Sequence, residues 1–219
     1  MKLRTNAPII ICALHLLQSE APAATILTGP GDFMGATTLV DFETFPGGGI
    51  VPYNSTSPGI LSSQWSGLGI LISDSSPGNG AGAYSATFSI LPHSGTRAVG
   101  DSDGSTPGGF IDFRFVIPGT TTFTTVGEAG LWVQNGDDGS TVSFFDANGT
   151  LIQSVTPSTG DRFAGIRAVE GIASIRVSDS GFYMVDDLQF AAVPEPSCIA
   201  LFVCVAGVLA VTFRRRHSA

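Results

Sequence analysis

The stretch "VSFFDANGTLIQSV", residues 142–155, decides how the middle of this chain is read. Two runs of apolar and β-branched residues flank Asp146-Ala147-Asn148-Gly149. Asn148-Gly149 supplies a pair that tolerates left-handed backbone, so the stretch predicts two antiparallel strands joined by a tight turn. The same grammar repeats on both sides. Candidate strands are 38–42, 69–72, 110–117, 130–134, 141–145, 150–155, 163–168, 173–177 and 182–190. Between them lie turn-forming clusters such as "SDSSPGNGAG" (73–82) and "GDSDGSTPGG" (100–109). No long amphipathic helix interrupts the series. Short strands at regular spacing predict an all-β chain, an antiparallel β-sandwich of jelly-roll type.

The chain has 219 residues, the length of one ordinary domain with extra segments at its ends. Residues 1–23 have the layout of a secretory signal peptide. Lys2 and Arg4 precede the apolar run Ile9–Leu17, and Ala21-Pro22-Ala23 places small residues for cleavage after Ala23. Nine apolar residues are too few to span a bilayer. Residues 24–192 then form the predicted ectodomain, and 193–219 a distinct tail. Within that tail, 198–213 is apolar; as a helix it would extend ~24 Å, enough to span a thin or locally thinned bilayer. The three arginines that follow, Arg214, Arg215 and Arg216, favour the cytoplasmic side.

A spanning helix does not need the residues in front of it, Val193-Pro194-Glu195-Pro196-Ser197. Two prolines around Glu195 keep that segment extended and accessible just outside the membrane. Proline-glutamate-proline, a short apolar helix and a terminal arginine cluster together resemble the PEP-CTERM sorting signal. The resemblance covers 193–219. It implies recognition by exosortase, a membrane-embedded transpeptidase-like enzyme, and processing near the PEP box after signal peptidase has acted at the other end. The implied product is exported across the inner membrane as an anchored precursor, then delivered to the cell surface or extracellular matrix, in association with exopolysaccharide. Cys198 directly after Ser197, and His217-Ser218-Ala219 after the arginines, depart slightly from the family pattern.

The composition of the exported part narrows its chemistry. Cys12, Cys198 and Cys204 all lie in the terminal segments, so the body has neither disulfide nor thiol chemistry. Residues 24–196 hold five arginines, no lysine and seventeen aspartates plus glutamates, a balance of −12. Such a charge argues against nucleic acid and suits cations or neutral sugars. His93 is the body's only histidine, and neither a G-x-S-x-G elbow nor an H-E-x-x-H pair occurs. The chain therefore reads as a non-enzyme, although two acidic residues working as a glycosidase pair would leave no spacing signature.

"LVDFETFPGG" (39–48), "GLWVQ" (130–134) and "FYMVDDLQF" (182–190) resemble the ectodomains of PEP-CTERM proteins and, more loosely, jelly-roll carbohydrate-binding modules. In those modules the first and last strands lie together, and acidic residues on them often hold calcium. Strict alternation puts Asp186 on the apolar face with Met184, Leu188 and Phe190, and Asp187 on the other. A carboxylate among apolar groups needs a cation, donated hydrogen bonds or a proton. Calcium held by Asp186 and Asp187 with Asp41 or Glu43 is one reading; backbone amides or an arginine are the other. Trp65 and Trp132 are the candidate sugar platforms, with core packing as the alternative for each. Three functions stay open: a structural surface protein, a carbohydrate- or calcium-binding module, and a secreted glycan-active enzyme.

The tail makes a prediction of its own. Replacing Glu195 or Pro196 should leave unprocessed precursor in the inner membrane of an exosortase-bearing host. Mass spectrometry of the native product should find an N-terminus near Ala24 and no Arg214–Arg216. Normal processing of both variants would remove the motif from the account.

Overall fold

The computed structural model describes residues 24–51, 61–74, 81–84, 91–101, 109–135, 139–179, 181 and 183–192. The expected signal peptide with Ala21 and Ala23, the PEP box from Val193 to Ser197, the apolar segment and Arg214–Arg216 lie outside these residues. The described chain is all-β and antiparallel. Its strands are β1 (Thr25–Leu27), β2 (Thr38–Val40), β3 (Ile70–Asp74), β4 (Ala81–Tyr84), β5 (Ala98–Asp101) and β6 (Phe110–Phe115). They continue with β7 (Val126–Asn135), β8 (Thr141–Phe145), β9 (Leu151–Val155), β10 (Gly160–Ile172), β11 (Ser174–Ser178) and β12 (Tyr183–Ala192).

Two sheets form. A seven-stranded sheet has the order β1-β10-β7-β12-β5-β4, with β2 also paired to β12; a five-stranded sheet has the order β3-β6-β11-β8-β9. The chain keeps to one sheet between β1 and β2, between β4 and β5, and through β8 and β9; at its other connections it changes sheet. Period-two alternation explains the packing. Ile111, Phe113 and Phe115 of β6, Val142 and Phe144 of β8, and Ile175 and Val177 of β11 turn inward. They meet Ala129, Leu131 and Val133 of β7, Ala164 and Ile166 of β10, and Val185, Leu188 and Phe190 of β12 in one continuous core. Phe115 and Phe190, 5.1 Å apart, join the two sheets directly. Removing this apolar surface from water is the main force closing the sandwich.

The hairpin at 142–155 forms as expected, with a different turn. Within this turn Asn148 has no positive φ, and Gly149, at φ +78°, is the left-handed residue. Asp146 N–H donates to the Thr150 carbonyl and Gly149 N–H to the Asp146 carbonyl, so Ala147, Asn148 and Gly149 form a three-residue loop. The Asp146 carboxylate accepts from Asn148 N–H at 2.8 Å and Thr150 N–H at 2.7 Å, which fixes the loop from within.

The last strand departs most from expectation. Its register against β7 shifts between Asp186 and Gln189, and Asp187 takes φ +45°. This bulge breaks the alternation on which the faces of Asp186 and Asp187 were assigned. Val185 and Leu188 both reach the inter-sheet core, whereas Met184 and Asp186 lie on the outer face, where Asp186 is paired with Trp132. Asp186 is indeed buried, but by loops that cover the sheet from outside.

Glycine shapes the same outer face. Phe163 lies over Gly130 and Gly165 on neighbouring strands, edge-to-face with Trp132 at 5.8 Å and with Phe33 at 6.3 Å. A Cβ at position 165 would stand 2.7 Å from the Phe163 ring and 3.1 Å from the Ala129 carbonyl. Gly165→Ala should therefore destabilise the protein by ~1–3 kcal/mol in urea unfolding. In a Phe163→Ala background the same change should cost less, because the ring it strikes is gone. Equal costs in both backgrounds would show that the ring is not what requires glycine.

Candidate functional site

The outer face of the five-stranded sheet carries an open groove of about 690 Å³. Strand alternation builds its floor: with Phe113 and Ile175 turned inward, Asp112 and Arg114 of β6 and Ser174 and Arg176 of β11 must point outward. Phe145, outward from β8, and the Asp146–Gly149 loop form one wall, and the 123–125 segment forms another. Phe123 is 62% exposed there. Arg176 is fixed twice. It donates from Nε and Nη2 to the two Asp112 carboxylate oxygens at 2.7 and 2.8 Å, and its guanidinium lies 3.8 Å from the centre of the Phe110 ring. The Asp112 hydrogen bonds raise its affinity for the proton further, against an opposing effect of burial. Arg114 is held less tightly: it is exposed, with its guanidinium 5.8 Å from the Phe123 ring centre. The groove thus offers aromatic faces, cations and polar side chains on a rigid floor.

Sequence reading missed this groove. The available signal was an arginine between inward-facing apolar residues, in "FRF" and "IRV", which marks a cation projecting outward from a strand.

The acidic residues expected to hold calcium gather elsewhere, around the segment 93–97 on the outer side of the seven-stranded sheet. Glu43 Oε1 accepts from Thr96 N–H at 2.6 Å and Arg97 N–H at 2.5 Å; Oε2 accepts from the Thr96 hydroxyl and Arg97 Nη1. Asp186, 0% exposed, accepts from Ser94 N–H at 2.9 Å and from Asp187 N–H at 2.8 Å. Asp187 accepts from the Ser94 hydroxyl at 3.0 Å, and Asp41 from Glu43 N–H at 3.1 Å. These carboxylates receive donors from the protein itself. Among the described residues no group of three or more His, Cys, Asp or Glu side chains is placed to hold a metal ion.

Their titration follows from these surroundings. Burial raises the Glu43 pKa, but the amide bonds from Thr96 and Arg97, the Thr96 hydroxyl and the Arg97 charge together bring it below the usual range. Asp186 goes the other way. Burial pushes its pKa up to about 7, the Ser94 and Asp187 amides oppose this, and the charges of Asp187 and Glu43 add to it. Asp187 is also raised, by burial first, with His93 and the Ser94 bond pulling it down and Asp41 and Asp161 pushing it up.

The two tryptophans separate. Trp65 is 1% exposed, edge-to-face with Phe42 at 5.3 Å, and its indole N–H donates to the Thr44 carbonyl at 3.3 Å. It is a core residue, the second of the two readings its sequence allowed, held between Phe42 and Phe45. Trp132 does face outward, opposite Leu131 and Val133, as alternation requires. Its face is covered. The His93 ring stacks on it with centroids 3.5 Å apart and planes 8° from parallel, and His93 Nδ1 lies 2.7 Å from Asp161 Oδ2.

No protein-family model and no curated protein matches the chain. Solved structures with a similar course of chain include a family 6 carbohydrate-binding module, at 12% identity, with 71% of this chain and 93% of that one covered and a TM-score of 0.34. The K1 cleaved adhesin domain of Lys-gingipain from Porphyromonas gingivalis W83 aligns at 13% identity, over 72% of this chain and 99% of that one, with a TM-score of 0.43. The family 11 carbohydrate-binding module of the cellulase Lic26A-Cel5E of Clostridium thermocellum aligns at 13% identity, over 66% and 99%, with a TM-score of 0.31.

The Asp186 environment fixes the sign of a pH effect. Its folded pKa, about 7, exceeds the ordinary 3.8, so the folded state binds more protons than the unfolded one between those values. Stability from this group is complete below pH ~4 and is lost as pH rises towards 7; the full gap corresponds to roughly 4 kcal/mol. Asp186→Asn cannot ionise, and its NH2 group faces an amide donor. The variant should be less stable than the parent at pH 4, and the deficit should shrink or reverse by pH 8. A deficit that stays constant over that range, in urea unfolding, would show that Asp186 is ionised throughout.

Proposed function

We propose that the chain is an exported, non-enzymatic protein whose jelly-roll-like sandwich binds polysaccharide at the cell surface or in the extracellular matrix. In this reading the signal peptide takes it across the inner membrane, and exosortase acts on its PEP-CTERM tail. The observation that carries the binding role is the groove on the five-stranded sheet. A sugar ring has an apolar face and a rim of hydroxyls. Phe123 and Phe145 suit the first, and Asp146, Asn148, Ser174 and the two arginines suit the second. The groove's volume lies in the range of small-ligand sites, and it is open to solvent.

Direct binding tests this. The protein should bind one or more polysaccharides on a glycan array. Phe123→Ala and Phe145→Ala should each weaken that binding about tenfold, a loss of ~1.4 kcal/mol. Phe123 is largely exposed, so its variant should keep the parental melting temperature. Trp132→Ala should do the reverse, lowering stability while leaving binding intact, because its ring is covered by His93. Failure to bind any array glycan would leave the structural surface role as the better account.

A further inference from the structure

We infer that the groove selects acidic polysaccharides, those carrying uronate carboxylates, and that Arg114 is the residue that reads the charge; this rests on the groove being the polysaccharide site. The cations of the groove differ in what they still have to offer. Arg176 is matched by Asp112 in a two-point ion pair, and its flat face is occupied by Phe110. A ligand meeting that pair meets no net charge. Arg114, one strand along from it, is exposed, and among the described residues its guanidinium makes no hydrogen bond or ion pair, only the approach to Phe123. Asp146 on the facing wall is ionised below its usual range by the amides of Thr150 and Asn148, and its oxygens are turned to its own loop.

Scarcity sharpens the point. The exported body has five arginines against seventeen acidic residues. Arg97 and Arg167 pair with Glu43 and Glu128, and Arg162 bonds to Ser158 and its neighbour's carbonyl. Among the described residues Arg114 alone of the five has no hydrogen bond or ion pair, and it stands inside a groove and beside an exposed ring. Binding a neutral sugar does not require a free cation. A guanidinium presents a planar pair of donors that matches a carboxylate at two points, and the adjacent Phe123 gives the sugar ring a surface on the same side.

The experiment compares charge at constant shape. Full-length protein in detergent micelles is titrated with polygalacturonate, alginate and hyaluronan, each as the free acid and as the methyl ester. At least one free acid should bind tenfold or more tighter than its ester. Arg114→Gln should bring acid and ester together, and Arg114→Lys should restore part of the preference, both with the parental circular dichroism spectrum. Equal affinity of the parent for acid and ester would overturn the charge selection while leaving the polysaccharide reading standing. An undiminished preference in Arg114→Gln would overturn the role of Arg114. Dextran sulfate binding more tightly than all three acids would overturn the carboxylate in favour of a sulfate ester. Absence of binding to any of the six polymers and to neutral array glycans would overturn both readings together.

Discussion

The structure depends on how β12 changes partner. Along one edge it pairs with β7 for almost its whole length; along the other it pairs first with β5, at Met184 and Val185, and then with β2, from Leu188 to Phe190. Two strands cannot both lie beside it, so they must diverge where the exchange occurs, and the wedge between them has to be filled. The bulge at Asp186-Asp187 marks the exchange, and the residues leading into β5 fill it. Their amides point at carboxylates from both sides: Glu43 beyond the end of β2, and Asp186 on β12. The bonds from Ser94 and Arg97 are half-buried and that from Thr96 is exposed, and together these acids tie the segment into the gap between β5 and β2. Two residues in left-handed backbone, Phe42 and Asp187, turn the chain at the same place. Such conformations cost about 1–3 kcal/mol each and persist where the surroundings over-determine them. Phe42 is pinned by Trp65 and Phe113, and Asp187 by Ser94.

The division has a consequence for the outer faces. The seven-stranded sheet is closed over by its own chain. The segment 28–37 crosses one half of it, tied by Met34 N–H to Glu128, by Arg167 to the Asp32 carbonyl and by Gln189 to Thr37. Segment 91–97 covers the other, with His93 on Trp132. Phe33 of the first strap sets its ring edge against Phe163, and Leu27 and Met184 are buried outside the inter-sheet core. Among the described residues, no segment crosses Arg114 and Arg176 on the five-stranded sheet in this way. Its outward side chains are polar or aromatic and sit at fixed spacing on paired strands, a more rigid platform than a loop would give.

Periodicity made the five-stranded sheet legible. β8 up to Phe144 and the whole of β11 alternate apolar and polar residues, as does β6 from Ile111 to Phe115, and the expected spans 141–145 and 173–177 fall within one residue of β8 and β11. The strands that escaped notice are β1, β4 and β5. Each has three or four residues, and β4 is Ala-Gly-Ala-Tyr, too small in side chain to show alternation. The site was less legible for a different reason. Reading Asp186 against Met184 and Leu188 assumed an unbroken period of two, and a bulge leaves no mark in the sequence here because Asp187, not glycine, takes the positive φ. Trp65 shows the converse: composition suggested an exposed turn, and the burial of its ring is decided by Phe42 and Phe45, residues twenty or more positions away.

The charge of residues 24–196 takes a different meaning once these contacts are placed. A strongly negative balance reads at first as affinity for cations. Yet the buried and half-buried acids spend their charge inside the molecule: Glu43 on the wedge, Glu128 on the strap at 28–37, Asp112 on Arg176, and Asp179 on Ser140 and the Gly181 amide. Residues 24–196 contain neither lysine nor cysteine, and there carboxylates hold loops onto a sheet by accepting bonds from backbone amides. This arrangement demands few arginines. Three of the five serve as counter-charges to buried or half-buried acids, and one binds its own turn. The fifth, Arg114, is exposed on the five-stranded sheet and among the described residues lies outside these pairings, so the local charge there differs in sign from the total.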